Sequence, residues 1–98
     1  MIRGTTPTVS LIFPFDLMTL STIHVSFAQR TLVIDKVITN DGALKGTTLA
    51  IPLTQDETLL LSAGMVRIQV RAKQLDGQVI ASNILEIPVA AILKDGVI

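Results

Sequence analysis

The chain has 98 residues, eight Lys and Arg against eight Asp and Glu, one His and no Cys. Zero net charge argues against the basic footprint of a nucleic-acid-binding domain and against a polybasic membrane anchor. The missing cysteines exclude disulfides and thiol chemistry, and one histidine excludes any site built on two.

Hydrophobic residues form 49% of the sequence and charged residues only 16%. Polar groups are too few to cover a small monomer, so part of the apolar surface is expected to meet partners. The apolar runs are far too short for the ~20 residues that cross a bilayer. The segment MIRGTTPT lacks the apolar core of an export signal, and folding in a cytoplasm is expected. With three Phe and neither Trp nor Tyr, stacking platforms for sugars or single-stranded nucleic acid have little to draw on.

Apolar residues mostly recur every second position, the period of a strand. Thr8 to Phe13 reads as a first strand between Pro7 and Pro14, and a connection with one helical turn follows to Ser21. Thr22 to Gln29 alternates Ile23, Val25 and Phe27 inward against His24, Ser26 and Ala28. Leu32 to Thr39 runs back with an ambiguous inward face, either Leu32, Ile34 and Lys36 or Val33, Asp35 and Val37. Asn40-Asp41-Gly42 is a strong turn signal and Lys45-Gly46 a weaker one. Thr47 to Leu53 sends Leu49, Ile51 and Leu53 inward.

Thr54 with Glu57 forms a capping-box pattern and predicts a helical turn over Gln55 to Leu60. Leu59, Leu60 and Leu61 are expected to plug one end of the core. Met65 to Leu75 is the most regular strand, with Val66, Ile68, Val70 and Ala72 alternating against Arg67, Gln69, Arg71 and Lys73. Asp76-Gly77 predicts a hairpin turn with positive φ. Gln78 to Val89 returns with a phase slip that predicts a bulge near Ser82-Asn83, and Pro88 suggests an edge or a strand end. The tail from Ala90 to Ile98 is expected to add a short strand. Six or seven short strands with one helical crossing form the pattern of an all-β, immunoglobulin-like two-sheet sandwich, in one domain over residues 1–98; a barrel is the alternative.

Each cluster of reactive side chains has a chemical and a structural reading. A metal site at His24 would draw on Asp16, Asp35 or Asp76, but its strand neighbours Ser26 and Ala28 make it a solvent-facing or interface residue. Arg67, Arg71 and Lys73 form a cationic stripe that fits an anion, cross-strand pairing with Glu86 or Asp35, or a subunit interface. Asp56 and Glu57 fit acid–base work or calcium, and more simply the charge preference of a helix start. No glycine cluster forms a phosphate loop, and no Ser or Thr has an evident activating base. No catalytic residue, metal ligand or cofactor is expected. The candidate interface residues are Arg67, Arg71, Lys73, Ile92, Leu93, Val97 and Ile98.

Four segments carry a resemblance: Arg3-Gly4-Thr5-Thr6-Pro7-Thr8, Leu53-Thr54-Gln55-Asp56-Glu57-Thr58-Leu59, Val66 to Val70 with Leu75-Asp76-Gly77 and Ala81-Ser82, and Ile92-Leu93-Lys94-Asp95-Gly96-Val97-Ile98. Together they resemble short structural proteins of Firmicutes prophages, over nearly the whole chain. More distantly, the N-terminal pattern is similar to the immunoglobulin-like N-terminal domain of phage baseplate upper proteins. Phe27 stands where the short prophage proteins usually have Tyr, and some of them carry cysteines absent here. The resemblance implies a non-enzymatic virion component of a tail or baseplate, with phage proteins or further copies as partners. It implies a chain made in the bacterial cytoplasm and carried into the virion. The alternative is an immunoglobulin-like binding module for a cell-surface or glycan target.

Overall fold

A computed structural model of the chain describes residues 1–40, 42, 44–82 and 84–98. Among the described residues, period-two alternation produces seven strands: β1 (Thr8–Ile12), β2 (Leu20–Gln29), β3 (Leu32–Thr39), β4 (Thr48–Pro52), β5 (Gly64–Gln74), β6 (Val79–Ala81) and β7 (Leu85–Val89), with one α-helix, α1 (Gln55–Leu60), before β5. All strand pairs are antiparallel. β1 pairs with β4, and the larger sheet has the order β3-β2-β5, with β6 and β7 both on the far side of β5. The molecule is an all-β sandwich. α1 lies in the connection that crosses from β4 in the small sheet to β5 in the large one. The end bearing α1 is the lower pole, and the β5–β6 turn marks the upper one.

The core lies between the sheets. Ile23, Val25 and Phe27 of β2 meet Val66, Ile68, Val70 and Ala72 of β5 and Leu49, Ile51 and Leu53 around β4, all buried. On β3 the inward set is Leu32, Ile34, Lys36 and Ile38, while Val33, Asp35 and Val37 face solvent. The charge on the inward face is matched by α1: Lys36 Nζ lies 2.9 and 3.0 Å from the two Glu57 carboxylate oxygens.

Local chemistry sets the connections. A single 3-10 turn over Leu17–Thr19 leads into β2, with Asp16 accepting from the Met18 amide at 2.9 Å. The capping box on α1 is complete. Glu57 N donates to Thr54 Oγ1 at 3.1 Å and Thr54 N donates to Glu57 Oε1 at 2.8 Å. Asn40 accepts from the Gly42 amide at 2.9 Å, while Asp41 of that turn lies outside the described residues. In the β5–β6 hairpin, Gln74 N donates to Gln78 O and Gly77 N to Gln74 O. Positive φ is confined to Gly77, at +93°, so this is a three-residue loop closed by a left-handed glycine. The returning strand carries a one-residue bulge: Arg71 faces Ala81, but Ile68 faces Leu85, not Ile84. Asn83, named in that expectation, lies outside the described residues.

Two expectations are corrected. Leu60 does not plug the core. It is 61% exposed, because the helical period turns Thr58 and Leu61 inward in its place. The tail adds no strand. The N-terminus takes that edge instead, through an isolated parallel bridge between Ile2 and Ala90. Met1 N donates to Pro88 O, Ala90 N to Met1 O and Arg3 N to Ala90 O.

Candidate functional site

The outer face of the large sheet holds the charged candidates. β5 turns Arg67, Gln69, Arg71 and Lys73 outward because their alternation partners fill the core. The register sets rows across it: Val37–His24–Arg71–Ala81, then Asp35–Ser26–Gln69, then Val33–Ala28–Arg67–Glu86. The ion pairs among the described residues are Arg3–Asp95 and Lys36–Glu57. The cross-strand pairing expected for the cationic stripe is therefore not made. Asp35 is separated from β5 by the whole of β2, about 10 Å at ordinary strand spacing, and it accepts from Ser26 Oγ at 2.6 Å. Glu86 lies opposite Arg67 in the register without an ion pair.

His24 sits between Val37 and Arg71, over a shallow depression of about 350 Å³ lined also by Thr22, Lys73 and Val79. The carboxylates considered as its metal partners are engaged locally, Asp16 with Met18 N, Asp35 with Ser26 and Asp76 with Gln78 N at 3.0 Å.

The tail candidates lie at the lower pole, apart from Arg71 and Lys73 near the upper one. Ile92 is half-buried, and its Cδ1 lies 2.9 Å from where a Cβ on Gly4 (φ +71°) would stand. Leu93, Val97 and Ile98 are exposed. The Arg3 guanidinium is the clasp there. It donates to Asp95 at 2.7 Å, to Leu59 O at 2.8 Å and to Leu61 O. Thr58 Oγ1 donates to Thr5 O, Leu53 N to Pro7 O, and Ile98 N to Gln55 Oε1. Three of the four motif segments thus meet at one pole. Their polar residues cap α1 and tie down both ends of the described chain. Glu57 belongs to this framework. Burial acts to raise its pKa, but the Thr54 amide and the Lys36 ammonium outweigh it and hold the carboxyl below its ordinary value.

An apolar cleft of about 220 Å³ opens between β1 and β6–β7. Val70 and Ala72 floor it, Leu11, Ile80 and Leu85 wall it, and Phe13 and Phe15 stand at its upper end. The two rings pack edge-to-face at 5.8 Å. This cleft is not legible in the sequence, because it depends on which strands the two sheets leave unpaired. The one signal was the apolar string Val9, Leu11, Ile12 and Phe13 with no charge in it.

No protein-family model, curated protein or solved structure matches this chain.

Proposed function

We propose that this chain is a non-enzymatic assembly module of a prophage virion, a tail or baseplate component that works through protein–protein contacts. The setting comes from the resemblance of its four motif segments. The contact role is carried by one observation, the surface the fold leaves open. The chain exposes 6180 Å², against about 5,400 Å² for a compact monomer of its mass. Its radius of gyration is 14.4 Å, against about 12.6 Å expected for its length. Ile12, Leu75, Leu93 and Ile98 are each at least 70% exposed, and burying such side chains against a partner contributes roughly 1.5–3 kcal/mol apiece. In this reading the chain is made in the bacterial cytoplasm and enters the particle there.

The test is sedimentation of the tagged chain from an induced lysogen. Assembly predicts that the tag travels with phage particles or tails through a density gradient. A tag that stays entirely in the slow fractions after lysis overturns the reading.

A further inference from the structure

The free strand edges of this sandwich are not equivalent. β4 ends in Pro52, and its outer-edge positions alternate with those bonded to β1, so Pro52 removes an outward N–H. β3 points Lys36 inward to Glu57, a charge that guards an edge. β7 carries Pro88, and Met1–Arg3 covers its lower end. β6 is only three residues long, a short edge that offers little to pair with. Among the described residues, β1 has none of these devices over Thr8–Ile12 and pairs with β4 alone. Phe13 N donates to Thr47 O and Leu53 N to Pro7 O. Bonded residues alternate in an antiparallel ladder, so Thr8, Ser10 and Ile12 turn their N–H and C=O groups away from β4. That side opens on the apolar cleft.

We propose that the β1 edge and this cleft form a seat for an extended segment of a partner protein, uncharged at its centre and apolar at alternate positions. The segment is added as a strand antiparallel to β1. Its backbone pairs with Thr8, Ser10 and Ile12, and its inward side chains fill the space between Leu11, Ile80 and Leu85. Strand addition of this kind draws affinity from main-chain bonds and specificity from pockets for alternate side chains. Antiparallel addition matches every strand pair of the two sheets and is slightly more stable per residue than parallel pairing. The inference rests on the assembly reading and names the surface that does the work.

The probe is a blocked hexapeptide alternating threonine with valine and leucine, titrated into the isotope-labelled full chain and followed by amide NMR. Saturable shifts and at least tenfold slower hydrogen exchange at Thr8, Ser10 and Ile12, with shifts at Ile80 and Leu85, are expected. The same peptide with a central proline binds at least tenfold more weakly. Ser10→Pro removes an outward N–H while leaving the β4 ladder intact, and weakens binding at least tenfold. Leu85→Asp, at a wall position 48% exposed, does the same and serves if Ser10→Pro fails to fold. The seat is overturned by shifts confined to the outer face or the tail, or by equal binding to both variants. Concentration-dependent changes at these residues without peptide would mean a second copy occupies the cleft, and overturn a foreign segment. Normal particle sedimentation with no peptide binding would fail the seat alone; loss of particle sedimentation would fail the assembly reading.

Discussion

Lys36 on the inward face of β3 and Glu57 in the first turn of α1 form a two-oxygen ion pair at 2.9 and 3.0 Å, and the same carboxylate accepts from the Thr54 amide. One acid therefore caps the helix, fixes it against the larger sheet and neutralises the charge that guards the β3 edge.

Glu57 gives the fold a pH dependence with a definite sign. Its carboxyl is held below the ordinary value of 4.5 in the folded chain. The stabilisation is therefore fully present above pH 4.5 and is lost as pH falls through the folded pKa. Glu57→Gln should cost about 1 kcal/mol at pH 7 and flatten that part of the acid limb. Urea unfolding from pH 2.5 to 7 checks it; parallel curves for the two proteins would refute it.

Arg3 should be sensitive to conservative replacement. Its planar fork reaches Leu59 O, Leu61 O and Asp95 together, a geometry a single ammonium cannot reproduce. Arg3→Lys should lower stability by about 1–3 kcal/mol and raise hydrogen exchange at Ile92 and Ile98. A change limited to the exposed Asp95 contact would leave stability almost unmoved.

The core and the outer face of β5 should respond differently. Ile68 is 1% exposed, and Ile68→Ala should cost ~2–5 kcal/mol. Its neighbour Gln69 faces out and donates to Ser82 O at 3.2 Å, so Gln69→Ala should stay within ~0.5 kcal/mol. Thermal and urea unfolding of both variants decides it; similar losses would mean the strand faces are misassigned.

Most of the framework was legible in the sequence because it rests on local rules. Alternation marked β2 and β5 and their buried residues, the Thr54–Glu57 spacing marked α1, and the phase slip marked the bulge. The face of β3 was not legible. Its pattern tolerates either assignment, and only α1, distant in sequence, supplies Glu57 to satisfy an inward Lys36. Arg3 was visible as part of a motif, but its role depends on carbonyls at the end of a helix 56 residues away. The cleft was hidden for the same reason. Periodicity shows that β1 exists, but only the sheet order shows which of its edges is bare.

The most direct test of action through protein contacts places a photo-crosslinking amino acid at Ile12, 81% exposed beside the cleft, with a control at Arg67 on the outer face, in an induced lysogen. A crosslink from position 12 to an extended segment of another virion protein is expected, and a much weaker one from position 67. No intermolecular crosslink at position 12, or equal yields at both positions, would contradict it.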